Sequence, residues 1–107
     1  MEHLPCPYLC CEVEFGDERE LHITERHPDL MPGERGRIAD TLAAPDEVRH
    51  STRFENALLF SRWFPALRGG KYVVVVVLIE KAACRAWIIT AYIARKLAEG
   101  EVEWKRI

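Results

Sequence analysis

The chain has 107 residues, 49% hydrophobic and 30% charged, with a formal net charge of −2. That length supports one modest core and a single domain over residues 1–107. The longest apolar run, Tyr72 to Ile79, is far shorter than the roughly 20 residues a membrane-spanning helix needs. The amino terminus has neither the basic flank nor the apolar stretch of a signal peptide, so a cytoplasmic protein without a membrane partner is expected.

The elements are read in chain order. Residues 1–20 form a cysteine-containing segment ahead of a core over 21–107. Asp17 followed by Glu20 has the form of a capping box, and Leu21, Ile23, His27 and Leu30 recur at roughly helical spacing, which predicts a helix over about 18–28 that ends near Pro28. After Pro32-Gly33, the apolar face of Ile38, Thr41 and Leu42 predicts a second short helix, stopped by Ala44-Pro45-Asp46. Beyond Pro45 the pattern turns to strands: a weak one at Val48 to Arg53, a better one at Ala57 to Phe64, a strong one at Lys71 to Glu80, and another at Arg85 to Tyr92. Gly69-Gly70 joins two of them. Ile93 to Glu99 reads as a last helical turn closed by Gly100, and Glu101 to Trp104 as an edge strand. The expected fold is α+β, with two N-terminal helices packed on a twisted, mainly antiparallel sheet of about four strands.

Charge is unevenly spread. Residues 1–48 hold four arginines against twelve acids and residues 49–107 hold eleven Lys/Arg against five acids, −8 against +6. The basic half could present a phosphate-binding face or could simply pair with the acidic half. Three of the four cysteines crowd into Cys6, Cys10 and Cys11; in a reducing compartment these are free thiols or metal ligands.

Two sets of residues could carry chemistry. The first is CPYLCCEVEFGDERELHITERH, residues 6–27. Zinc takes four tetrahedral N/S ligands, and closely spaced cysteines followed by a helix with two histidines would deliver them. Cys6, Cys10, Cys11, His22 and His27 are the candidate ligands of a structural zinc. The stretch looks like a C2H2 zinc finger, with a shorter Cys-to-His gap and with His22 directly after Leu21. The same cysteines could instead be small buried hydrophobes, with His27 packed beside Ile23 and Leu30.

The second set is spread along the chain. His22 and Arg26 are four apart and share a helix face. Cleaving RNA without a metal requires activating a ribose 2′-hydroxyl, stabilising a pentavalent phosphorane and protonating the leaving 5′-oxygen, work for His and Arg. A sheet offering Arg62, Thr90 and Tyr92 opposite that helix face would complete the residue types. Arg62 could equally be the solvent-facing member of an alternating strand, and Thr90 and Tyr92 are ordinary strand formers. Trp63, Trp87 and Trp104 read as core or edge cover.

The succession HITERHPDL, IADTLAAPDEV, LLFSRWF, KYVVVVVLIE and WIITAYIARKLAEGEVEWKR resembles the barnase, EndoU, colicin and RelE-like nuclease superfamily, in its small phage- and prokaryote-associated branch. In such proteins a helix with a His-x-x-x-Arg-His-like element, a Pro-Asp turn, an Arg-bearing strand and a late Thr-Ala-Tyr strand follow in this order. The resemblance spans residues 21–106. It implies a two-layer RelE/barnase-like fold and metal-independent endoribonuclease activity leaving a 2′,3′-cyclic phosphate, in a toxin or RNA-processing module. Its expected partners are RNA and an antitoxin or other protein. It also implies His22 or His27 as acid or base, Arg62 and Arg26 as phosphate ligands, and Thr90 and Tyr92 as orienting groups. Ser51 and Lys81 would be looser, substrate-binding matches. No cofactor would be required for that catalysis. The reading from a different class is a non-catalytic, zinc-stabilised module that binds nucleic acid or protein.

Overall fold

The computed structural model describes all 107 residues. Two strands, β1 (Glu2–Cys6) and β2 (Cys11–Phe15), precede the helices α1 (Asp17–Arg26) and α2 (Gly36–Ala43). Five strands follow: β3 (Glu47–His50), β4 (Ala57–Phe64), β5 (Lys71–Glu80), β6 (Arg85–Ala94) and β7 (Val102–Lys105). The seven strands form one sheet in the order β1-β2-β6-β5-β4-β3-β7. All neighbours are antiparallel except β2 and β6, which run parallel and share a single register pair, Glu14 with Trp87.

The fold is α+β, but the expected sheet of about four strands is corrected to seven. The cysteine-rich start supplies two of the missing strands. Leu4, Cys6, Val13 and Phe15 alternate with exposed or half-buried residues and are buried in the main core, so the segment is a hairpin of the sheet and the helices are not N-terminal to everything else. The Ile93–Glu99 helix is also corrected. Val73 pairs with Ile93 and Tyr72 with Ala94, so ladder hydrogen bonds to the long β5 override local helix propensity, and residues 95–101 cross irregularly from β6 to β7.

Both helices lie against one face of the sheet. Ile23 of α1 and Ile38 and Leu42 of α2 join Phe60, Val73, Val75, Val77 and Ile88 in the core, all but fully buried. Asp17 opens α1 as its first residue and Gly16 is the cap, with no side-chain capping bond, so the expected capping box does not form. Asp17, Glu18 and Glu20 still place negative charge on the first turn, where the helix dipole favours it. No helix is long and apolar enough to cross a membrane.

A break in alternation on β6 decides which residues face away from the helices. Ala86 and Ile88 belong to the core, and strict alternation would send Thr90 and Tyr92 there too. Val77 pairs with Ile88 but Val76 pairs with Thr90, so Ile89 is the extra residue of a β-bulge. The parity flips: Ala91 becomes a core residue, and Thr90 and Tyr92 turn to the opposite, helix-free face beside Val76 and Val74. Bulges re-aim side chains in this way.

Candidate functional site

The helix-free face carries a cleft of about 150 Å³ with Leu59, Val76 and Ile89 among its apolar lining residues. Its polar lining comes from three elements: Thr90 and Tyr92 on β6, Ser51, Thr52 and Arg53 on the β3–β4 loop, and Glu99 on the crossing segment. Each wall has a local cause. The Ser51 hydroxyl accepts the backbone N–H groups of Arg53 and Phe54, both at 3.1 Å, folding the loop into a Ser turn. Arg49 donates to the Ala98 carbonyl at 2.8 Å and the His50 N–H to that of Glu101 at 2.8 Å, which fastens the crossing segment to β3.

His27 meets this face from the side. The residue before a proline is disfavoured in the α region, so Pro28 ends α1 and His27 leaves the helix at φ −132°, ψ 66°, while its N–H still closes onto the Ile23 carbonyl at 2.7 Å. The buried Ile23 anchors that last turn. The imidazole lies against Tyr92, ring centres 6.0 Å apart at 40°. Further along α1, Arg19 reaches the carbonyl of the bulged Ile89 at 3.4 Å, so the helix flanks β6 where β2 no longer pairs with it. Burial pushes the Tyr92 phenol above its ordinary range, which keeps it a neutral hydrogen-bond donor.

The structure groups only some of the residues expected from sequence. Thr90, Tyr92, Ser51 and His27 assemble at or beside one cleft. Arg62 does not join them: it pairs with Val73, which pairs with Ile93, whereas Tyr92 is level with Val74 and Ser61. Arg62 therefore lies on the helix-bearing face, donating to the Asp40 carbonyl at 3.3 Å with its guanidinium 5.2 Å from the Phe64 ring. The arrangement with Arg62, Thr90 and Tyr92 on one face is corrected. His22 is half-buried on α1, and Arg26, one turn later, is exposed. Lys81 sits on the turn after β5 and lines a different and larger cavity, of about 670 Å³, with Leu58, Ile79, His50 and Glu103. That cavity opens on the helix-bearing side, since Leu58 and Val77 are paired core residues.

The expected zinc set does not converge either. No group of three or more His, Cys, Asp or Glu side chains is arranged to hold a metal ion. His27 lies beside Tyr92, near the end of β6, whereas Cys11 shares a cleft with Cys84, just before its start. Eight residues of extended chain separate those points by roughly 26 Å.

Sequence reading missed Arg53, Phe54 and Glu99. Arg53 and Phe54 are exposed and the arginine lies 5.8 Å from the phenylalanine ring, a basic and aromatic pair at the mouth of the cleft. Their signal was present, a basic-aromatic dipeptide in a loop of turn formers, but it fell inside a segment read as strand. Trp63 and Trp104 are exposed rather than core residues, and Trp63 packs edge-on to Tyr72 at 4.9 Å. No protein-family model, curated protein or solved structure matches the chain.

Proposed function

We propose that the chain is a metal-independent endoribonuclease of the barnase, EndoU, colicin and RelE-like kind, with its site at the cleft on the helix-free face. The observation that carries this reading is the imidazole of His27 against Tyr92, beside a hydroxyl- and arginine-lined cleft on an otherwise apolar sheet face. Apolar walls exclude water and strengthen each polar contact made inside.

In the proposed reaction His27 takes the proton of a ribose 2′-hydroxyl as the 2′-oxygen bonds to phosphorus. The bond from phosphorus to the 5′-oxygen breaks, and the proton returns to that oxygen. No proton is gained or lost overall, and the product ends in a 2′,3′-cyclic phosphate. Arg53 offsets the charge on the phosphorane, and the Thr90 and Tyr92 hydroxyls donate to its non-bridging oxygens. RNA is the partner this chemistry requires.

The test is cleavage of a fluorogenic oligoribonucleotide in excess EDTA, with the product ends read by mass spectrometry. Native protein should give cyclic phosphate ends, and His27→Ala should lower the rate by roughly 10²–10⁴-fold, the usual range for a positioned general acid or base, with the circular dichroism spectrum unchanged. Intact RNA with native protein, or full activity in His27→Ala, would overturn the proposal.

A further inference from the structure

All four cysteines of the chain lie at one end of the sheet. Cys6 and Cys11 are register partners across β1 and β2. Cys11 and Cys84 each stand three residues before the parallel pair Glu14 and Trp87, which sets them level across β2 and β6. Neighbouring strands are about 4.8 Å apart, so Cys6, Cys11 and Cys84 form one row over three adjacent strands. Their parity agrees with this: Cys6 shares the core face with Leu4, Cys11 precedes the core residues Val13 and Phe15 in alternation, and Cys84 precedes Ala86 and Ile88.

Cys10 lies next to the row. It ends the turn Pro7–Leu9 in the left-handed region at φ 57°, its N–H bonded to the Pro7 carbonyl; Cys84 ends the turn Lys81–Ala83 likewise at φ 48°, bonded to Lys81. Left-handed backbone is uncommon outside glycine, yet cysteine occupies it in both turns. Cys10, Cys11 and Cys84 line a cleft of about 280 Å³, and the N–H groups of Leu9 and Tyr8 point at the buried Cys6 sulfur.

We propose that Cys6, Cys10, Cys11 and Cys84 are the four ligands of a zinc ion that joins the β1–β2 hairpin to the start of β6. Thiolate-only sets favour soft ions, and zinc takes four sulfurs tetrahedrally at about 2.3 Å. As the side chains stand they do not converge on one point. Cys10, Cys11 and Cys84 are exposed, and each needs only to turn about its first side-chain torsion between staggered positions. Neighbouring thiols and burial push Cys6 and Cys11 above the ordinary thiol range, so zinc must displace protons and its affinity rises with pH. The ion would reinforce a junction that otherwise rests on one register pair and the Arg85–Glu14 ion pair at 2.7 Å.

The test is anaerobic titration of the reduced full chain with Co²⁺, followed by zinc competition and metal analysis. Expected are tetrahedral thiolate–cobalt absorption saturating at about one ion per chain, displacement by zinc, and a loss of roughly tenfold or more in affinity in Cys84→Ser and in Cys10→Ser. Both variants alter exposed positions, so a failure to fold does not obscure the result; circular dichroism checks this. No thiolate–cobalt absorption in the native chain, or native affinity in Cys84→Ser, would overturn the proposal. The result does not depend on whether the protein cleaves RNA.

Discussion

Gly100→Ala tests how the crossing segment closes the cleft. A β-carbon at position 100 would fall on the backbone carbonyl oxygen of His50, with Arg49 Cβ 3.7 Å away. Gly100 has no positive φ, so the conflict is contact, not conformation. The carbonyl cannot retreat freely, because the His50 N–H is bonded to Glu101 at 2.8 Å. Forcing an extra methyl into packed structure costs about 1–3 kcal/mol. The loss has a ceiling, since β7 is exposed along its whole length and can peel away, giving up the Arg106–Asp46 ion pair at 3.1 Å and the Tyr8–Trp104 ring contact at 5.8 Å. At about 4–8 °C per kcal/mol for a domain near this size, the midpoint should fall by between about 4 and 20 °C. Gly33→Ala, where nothing lies within 4 Å, is the control and should stay within about 1 kcal/mol of native. Differential scanning fluorimetry gives the midpoints, and amide hydrogen exchange should show protection lost first over residues 101–106. Equal midpoints for the two variants, with unchanged exchange in β7, would refute the reasoning.

Other outcomes follow from single contacts. Phe60 is fully buried with Tyr8 edge-on at 5.8 Å, so Phe60→Ala should lower unfolding free energy by about 3–5 kcal/mol in a urea titration. The Arg85 guanidinium holds the Glu14 carboxyl below its ordinary value of 4.5. The stabilisation is therefore present above that value and lost as pH falls through the lower folded one, and Arg85→Ala should differ from native near pH 7 yet converge with it in acid. Burial and the Glu103 carboxylate raise the Tyr8 phenol to about 12 from 10.0. Its contribution is complete below pH 10 and fades as pH rises toward 12, so Tyr8→Phe should flatten the alkaline fall in stability seen in denaturant midpoints.

How much of this was legible in sequence depends on which force decided each element. The bounds of β4 and β5 follow from β-branched and aromatic runs, because burial of Val73 to Val77 on both faces leaves no polar interruption to misread. The β1–β2 hairpin was hidden: its turn has cysteine at the left-handed position where a glycine would have announced it, and metal spacing competed for the same residues. Residues 93–99 have helical composition, and only the partner strand decides otherwise. Arg62 was misplaced because Ser61 and Trp63 look like its buried neighbours, whereas Leu58, Phe60 and Phe64 define the core face that it shares. The faces of Thr90 and Tyr92 depend on the bulge at Ile89, which no periodicity in the chain signals.

β6 connects the two proposals and also keeps them separable. Its start is level with the thiol row, and its end carries Tyr92 against His27. The path between them through the chain is short: β2 leads through Gly16 into α1, and α1 ends at His27. Zinc at the cysteines would fix β2 beside β6, and with it the angle at which α1 delivers the imidazole, but roughly 26 Å of strand separates the ion from the Tyr92 phenol. A ligand variant such as Cys84→Ser can therefore alter RNA cleavage only by loosening α1, an effect that should vanish when the temperature is lowered enough to restore the helix. His27→Ala removes the proton carrier itself, and its defect should persist at every temperature at which the protein is folded.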